Sequence, residues 1–480
     1  MSDSPNARSA GIEKWLEGLG YPSASLQTPM DEHVARWWSY LTREADFFNV
    51  RQIGQDGKPR DIPIRSCTPA DMVTDDMAGL IFNEKASISL TDADEAAQKW
   101  LQRWLSRTAF RERAPWAVKR MCVTGTAAWA LHVKNAAESG RSAALQAVPM
   151  RYDARSIVPL EWDDDECSAC AFMASVYVRG SACTQVEVHR RRDDGNYEIA
   201  CAFFDDQGDP MAMPGFLAPG DALDTKQPNP TFGLIRLALD NRYWDYSPMG
   251  VSLYDNAIGE LETVDLAFDN LGNDIFLGKK MLVIPEAMMR KDESTGDLVL
   301  PWMEGQQFFL AAKSNTYDDK AAIYEYNPSL RSDENRQNLA TALQMLGKAI
   351  GFGMKAYALD SQGGITTAKQ VASDNAEMMR TVRRHEKSVE VAVRTIVAAA
   401  AGVYRGLSTE SLPDVSGAVE VVMGDSIMQD DDTLRERDRA DVAAGLLEPW
   451  KYMVRWQGYS EDEAKAAQDI DAGMRDVPMV

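Results

Sequence analysis

Hydrophobic residues repeat at helical spacing over residues 332–352. Leu339, Leu343, Leu346 and Ile350 recur every three or four positions, and the stretch begins at a polar cap around Ser332. Apolar residues at this spacing form one stripe on an α-helix, and a polar residue ahead of them is typical of a helix N-terminus. The pattern therefore predicts a helix with one buried side.

Glycines interrupt the chain directly after this helix. Because glycine adopts backbone conformations that other residues avoid, a group of glycines favours a loop. The segment 353–366 is therefore predicted to be a loop, with hinges at its glycine positions: Gly351, Gly353, Gly363 and Gly364.

A second periodic stretch covers residues 367–404. Thr367 and Gln370 fit a capping box, and an apolar stripe with mostly seven- and four-residue spacing continues through Val389 and Ile396. A helix over this stretch would have about 38 residues and a length of roughly 57 Å. It needs packing partners from the same chain or from other copies of it, and its stripe is a candidate surface between subunits.

The remaining pattern predicts an α+β protein. Helical periodicity precedes residue 125, and short alternating stretches with turn signals follow from 126 to 245. The predicted helices are 12–19, 30–46, 70–83, 94–106, 110–125, 430–444, 449–456 and 460–472. The predicted strands are 127–133, 144–149, 171–178, 185–190, 197–204, 232–238, 281–284, 298–300, 322–326 and 418–423.

Residues 252–278 are predicted to form a helix with an apolar face and a separate acidic face. At 100° per residue, four carboxylates fall within an arc of about 80°: Asp255, Glu262, Asp265 and Asp269. An ordinary solvated helix face is one interpretation. The other is a surface that repels an anionic ligand, since no lysine or arginine occurs in this stretch.

Composition narrows the function classes. The 480 residues are 45% hydrophobic and carry a net charge of −22, which argues against a protein that grips a nucleic-acid backbone through clustered cations. It remains compatible with a protein that lets DNA pass without holding it. No signal peptide is predicted, and the longest apolar run, 396–404, is far shorter than the roughly 20 residues of a membrane span. Six cysteines indicate free thiols rather than a disulfide framework.

Three groups of residues are candidate chemical sites. Gly351, Gly353 and Ala356 resemble a dinucleotide fingerprint but follow a helix, where that motif does not work. Four cysteines and a histidine offer zinc ligands at irregular spacing: Cys167, Cys170, Cys183, Cys201 and His189. The acidic runs 163–166 and 430–432 offer oxygen ligands without a calcium-loop turn. Buried thiols and solvated or capping acids are the ordinary interpretations, and His385 is predicted to be a packed core histidine. No catalytic residue, cofactor or metal is predicted, so no enzymatic activity is expected.

Four stretches of the chain resemble the portal protein family of long-tailed bacteriophages. They are Pro248–Ile258 continuing to Lys280, Gly351–Ala368 with its glycines, Ser373–Val382, and Asp425–Ile427 with Gly445–Tyr452. None of the stretches is a catalytic signature, so the resemblance depends on their order and spacing over residues 245–465.

The resemblance implies a fold of named parts. It implies an N-terminal region with an α/β wing, a two-helix stem, a small α/β clip, a long helix behind a tunnel loop, and a helical crown. The boundaries are 1–250 for the N-terminal region and wing, 251–278 for stem helix 1, 279–331 for the clip, 332–352 for stem helix 2, 353–366 for the tunnel loop, 367–405 for the long wing helix, and 406–480 for the wing strand and crown.

The resemblance also implies a function. Portal proteins form rings, usually of twelve subunits, at one capsid vertex, and double-stranded DNA is packaged and ejected through the channel. The implied partners are other copies of the chain, DNA, the terminase large subunit, the major capsid and scaffolding proteins, and a head–tail adaptor, with no membrane. The implied location is the virion, and the host cytoplasm during assembly.

The site residues follow from the same comparison. The four carboxylates would line the channel. The tunnel loop would present six residues to DNA: Met354, Lys355, Tyr357, Asp360, Ser361 and Gln362. Two alternatives remain open at this point, namely another ring or connector protein of a virion, and a metal-dependent hydrolase that uses the acidic runs.

Overall fold

The computed structural model describes residues 10–22, 27–53, 57–91, 93–137, 140–178, 180–205, 207–211, 222–278, 281–285, 290–291, 294, 298–299, 308–311, 324–326, 328–359, 376–424, 431–459 and 463–467. Helices prevail up to residue 124, strands follow one another from 126 to 236, and the sheets are mostly antiparallel. The predicted α+β class is confirmed.

Ten helices are numbered here in chain order. They are α1 Ala10–Gly18, α2 Asp31–Thr42, α3 Pro69–Ile81, α4 Glu95–Thr108, α5 Phe110–Thr124, α6 Ile258–Leu277, α7 Ser332–Ala349, α8 Ala376–Leu407, α9 Asp431–Ala443 and α10 Pro449–Gln457. Residues 463–467 are also helical. All the helices predicted before residue 125 are present, with ends within a few residues of expectation.

The strands form several small sheets and one large one. They are β1 Asn49–Ile53, β2 Pro59–Pro63, β3 Ser87–Leu90, β4 Thr126–Lys134, β5 Gln146–Asp153, β6 Ile157–Asp163, β7 Glu166–Val178, β8 Ser181–Arg191, β9 Tyr197–Phe204, β10 Pro210–Met211, β11 Ala222–Asp224, β12 Phe232–Arg236, β13 Met281–Pro285, β14 Arg290–Lys291, β15 Leu298–Val299, β16 Phe308–Ala311, β17 Tyr324–Tyr326 and β18 Val419–Val422. The large sheet has the order β10-β9-β8-β7-β6, with β11 also paired to β9, and a second sheet has the order β12-β4-β5.

Helix α8 lies at the centre of the main hydrophobic core. Its apolar stripe, including Val389, Val393 and Ile396, is fully buried against the chain's own sheet and helices. A Cβ at Gly233 on β12 would approach the Ala392 carbonyl oxygen to 2.9 Å, so glycine is what lets strand and helix touch. The prediction that this stripe is free to form a surface between subunits is therefore wrong, because the chain itself already covers it.

The insert between α6 and α7 contains more strands than predicted. The strands expected at 281–284, 298–300 and 322–326 are present, and β13 also pairs in parallel with β16, which was not predicted. Within its described residues, the insert shows strands and no helix. Residues 367–375, the predicted start of the long helix, lie outside the described part.

The structure offers no membrane-spanning segment among its described residues. None of the helices there is both long enough and apolar enough to cross a bilayer.

Candidate functional site

The candidate site is the hairpin formed by α6 and α7. At one end of the pair, the backbone N–H of Arg331 donates to the Asp274 carboxylate at 2.9 Å, which brings the C-terminal end of α6 to the N-terminal end of α7. The helices pack side by side and run antiparallel, as predicted for a chain that folds back through the insert.

Asp255 lies where the hairpin joins the rest of the molecule. Residues 255–257 form a short 3-10 helix ahead of α6, and Asp255 is buried. Its carboxylate accepts hydrogen bonds from Trp37 Nε1 at 2.9 Å, Arg242 Nη2 at 2.9 Å and Tyr243 Oη at 3.0 Å. A buried carboxylate with three donors, one of them a guanidinium, is an anchor inside the fold.

The other three carboxylates are also bonded within the chain. Tyr40 Oη donates to Glu262 at 2.6 Å, and the backbone N–H of Arg65 donates to Asp269 at 3.1 Å. Asp265 is 1% exposed and accepts from the Ser66 hydroxyl and the Cys67 backbone N–H, both at 2.9 Å. Burial raises the pKa of Asp265, although these hydrogen bonds oppose the shift.

The expectation of an open, unpaired carboxylate stripe is therefore wrong. Helical periodicity correctly places the four acids on one side of the chain, but it does not show what that side meets. Here it meets residues 31–69 and, at Asp255, also Arg242 and Tyr243, whose side-chain and backbone donors satisfy the carboxylates. The polar donors in α2 are the signal that sequence reasoning missed.

The open face of the hairpin is neutral rather than acidic. Exposed positions recur every three or four residues from the short 3-10 helix into α6, at Asn256, Gly259, Thr263, Leu266 and Asn270. Together with Asn338, Thr341 and Met345 of α7, most of them line a groove of about 520 Å³, in which Glu260 is the one charged side chain. We call this set of residues the neutral face. Leu266 is 45% exposed and Met345 is 52% exposed, which leaves apolar surface uncovered.

The glycine turn that follows α7 is present. Gly351 and Gly353 have φ angles of +83° and +85°, which other residues rarely adopt. Met354 and Lys355 are exposed, and Tyr357 Oη donates to Asp76 at 2.7 Å, so this part of the predicted loop is tied to α3. The other predicted loop residues, Asp360, Ser361, Gln362, Gly363 and Gly364, lie outside the described part.

Within the described part of the chain, the alternative chemical sites do not assemble. Among the described residues, no three histidine, cysteine, aspartate or glutamate side chains are placed to hold a metal ion. The thiols of Cys170 and Cys183 instead lie against the backbone carbonyls of Val158 and Val176. In the run 163–166, Asp165 pairs with Arg236. Asp430 lies outside the described residues.

The structure reveals a buried polar cluster that the sequence did not indicate. His132 Nδ1 is hydrogen bonded to Glu187 between the two sheets, and His189 Nδ1 lies 2.7 Å from Thr231 Oγ1. Burial alone would raise the pKa of Glu187, but the two histidines beside it lower it to about 2. The strand register brings these residues together, and their spacing along the chain does not predict this contact.

The prediction that His385 is a packed core histidine is confirmed. It is fully buried on α8, and its Nδ1 accepts from the Ala238 backbone N–H at 3.0 Å.

Comparisons with known proteins do not assign a function to this site. No protein-family model and no curated protein matches the chain. One solved structure, described as the neck of a native GTA particle computed with C12 symmetry, matches with 9% identity and a TM-score of 0.38, over 88% of this chain and 93% of that chain. A second, the virion of a native gene transfer agent (GTA) particle, matches with 10% identity and a TM-score of 0.39, over 88% and 92%. At such TM-scores the structural similarity indicates no function for this chain.

Proposed function

We propose that the chain is a structural subunit of a virion that assembles into a ring, and specifically a portal-type protein through whose channel double-stranded DNA passes. The observation that carries the proposal is the antiparallel α6–α7 hairpin. Buried carboxylates anchor it at its base, a small β insert extends from its far end, and one of its sides remains open.

The neutral face supplies the contact that such an assembly needs. Amide and hydroxyl groups with exposed Leu266 and Met345 can pack against a different surface of a neighbouring copy, and the neutral face adds few charges to that contact. Head-to-tail contacts of this kind produce a closed ring when the rotation between copies closes.

The charge of the whole chain suits a channel that does not hold DNA. A net charge of −22 per subunit, repeated around a ring, disfavours tight phosphate contacts and permits sliding. In this proposal the insert docks the terminase large subunit and later the head–tail adaptor, while the N-terminal region and wing, residues 1–250, meet the major capsid and scaffolding proteins. The protein then acts at a capsid vertex and is assembled in the host cytoplasm.

The first experiment is native mass spectrometry of the purified chain. The chain has a mass of 53.2 kDa, so the twelve-subunit ring implied by the family resemblance would appear near 640 kDa, with a central hole in negative-stain images. Leu266→Asp with Met345→Asp should shift the population to monomers, because each added carboxylate would be buried without a partner. Val391→Asp is the matched control, since Val391 is 57% exposed on α8.

A wild-type protein that remains a monomer at high concentration would contradict the proposal. A double variant that forms the same ring as wild type would leave the ring in place but would remove the neutral face from the contact between copies.

A further inference from the structure

A ladder of stacked arginine and tryptophan side chains lies on the surface near α2 and α5. The Arg155 guanidinium carbon is 3.3 Å from the centre of the Trp38 ring, and that of Arg120 is 4.5 Å from the same ring. Arg120 also lies 5.3 Å from the Trp116 ring, and Arg151 lies 4.6 Å from it. We call these five residues the Arg–Trp ladder.

Two of the three guanidinium groups are not directly paired with a carboxylate within the described part of the chain, although Asp153 and Asp71 act on Arg120 from a distance. Arg155 is held by Asp153, with hydrogen bonds of 3.1 and 2.8 Å. Arg120 and Arg151 make neither an ion pair nor a side-chain hydrogen bond there. Other arginines of the described chain, such as Arg394, do find a carboxylate.

The arrangement is electrostatically unfavourable without a ligand. All three arginines are half-buried. Burial lowers the pKa of Arg120; the charge of Asp153 opposes this shift, the charge of Arg155 adds to it, and the charge of Asp71 opposes it. Burial lowers the pKa of Arg151 as well, and the charges of Arg113 and Arg120 act in the same direction. An anion bound to these groups would offset the cost of their desolvation and reduce their mutual repulsion.

We propose that the Arg–Trp ladder is a docking surface for a carboxylate-rich segment of another polypeptide. Guanidinium groups bind carboxylates through two parallel hydrogen bonds, and the tryptophan rings hold the groups in a fixed orientation.

The surroundings favour a polypeptide over a nucleic acid. Each indole already has two guanidinium groups against it, so no ring is free to stack on a base. Asp71 and Asp75 of the adjacent α3 pair with Lys119 close by, and their carboxylates would repel a continuous phosphate backbone. A short peptide needs to contact only the guanidinium groups, whereas a duplex spreads its phosphates over a wider area that includes these carboxylates.

Fluorescence anisotropy with a labelled hexaglutamate peptide, and a hexaglutamine peptide as its neutral control, tests the proposal on the full chain. The acidic peptide should bind at about 50 mM salt and weaken at about 300 mM, because screening reduces partly exposed charge pairs. Arg120→Gln with Arg151→Gln should weaken binding by about tenfold or more. Arg394→Gln with Arg405→Gln removes two arginines that are paired elsewhere and should leave binding unchanged.

Loss of the stacked arginines could also disturb the fold. Arg120→Lys with Arg151→Lys keeps the charge and the aliphatic stem but loses the planar fork, so it should fold and bind with intermediate affinity. The proposal is overturned if the acidic peptide does not bind, if both glutamine variants lose binding equally, or if the lysine variant loses it completely. Stronger competition by a short DNA duplex or by inorganic phosphate would also overturn it, and would assign the surface to that ligand.

Discussion

The buried His385 makes a quantitative prediction for stability against pH. Its Nδ1 accepts from the Ala238 backbone N–H, and its Nε2 has no hydrogen-bond partner in the described structure. A proton added to Nδ1 would face another donor, so the charged ring would be both desolvated and unpaired. Burial, with a contribution from the charge of Arg384, accordingly lowers the pKa of His385 to about 4.

The direction and size of the effect follow from this pKa. An exposed histidine in the unfolded chain binds its proton near pH 6.5. As the pH falls below that value, the unfolded state binds a proton, whereas the folded state does not bind one until about pH 4. Stability is therefore lost between about pH 6.5 and pH 4. The loss attributable to His385 is about 2 kcal/mol between pH 7.5 and 5, and about 3 kcal/mol by pH 4.

Urea unfolding at pH 7.5 and at pH 5 measures this loss. His385→Asn places an oxygen that can accept from Ala238 and does not titrate, so its free energy of unfolding should fall by about 2 kcal/mol less than that of wild type over the same interval. Carboxylates contribute equally to both proteins and cancel in the comparison. His33→Asn, at a partly exposed ring, controls for the loss of a histidine. If wild type and His385→Asn lose the same stability on acidification, the conclusion that His385 is buried in its neutral form is refuted.

Three further substitutions test the junction between the hairpin and the core. Asp255→Ala should lower the free energy of unfolding by about 2–4 kcal/mol in urea titrations, because it leaves the buried Trp37 Nε1 without an acceptor; an unchanged midpoint would contradict the anchor. Gly125→Ala should prevent normal packing, because a Cβ there would approach the Gly250 carbonyl oxygen to 2.4 Å at a φ of +81°, and a melting temperature equal to that of wild type would refute this close approach. Gly259→Ala, on the open side of α6 with no atom near its new methyl group, should raise stability by about 1 kcal/mol, and a loss would show that this position is covered.

Local patterns predicted most of the secondary structure. The helical stripes of α4 and α7 and the turn ahead of β9 are short-range features, so their residue spacing and turn residues determine them. Strands without strong alternation were missed, among them β3 and β6. They exist because partner strands pair with them, β18 with the first and β7 with the second.

The candidate site was harder to predict because its side chains meet across long sequence separations. The sequence by itself determined the α+β class, the α6–α7 hairpin and the side of α6 that carries the acids, since helical spacing is a local property. Tertiary structure decided that the segment 31–69 covers those acids and that the face left open is neutral. It also decided that the stripe of α8 packs within its own chain and that three arginines stack on Trp38 and Trp116. The physical reason is that burial and pairing depend on which distant segments pack together, whereas periodicity records only which residues share a face.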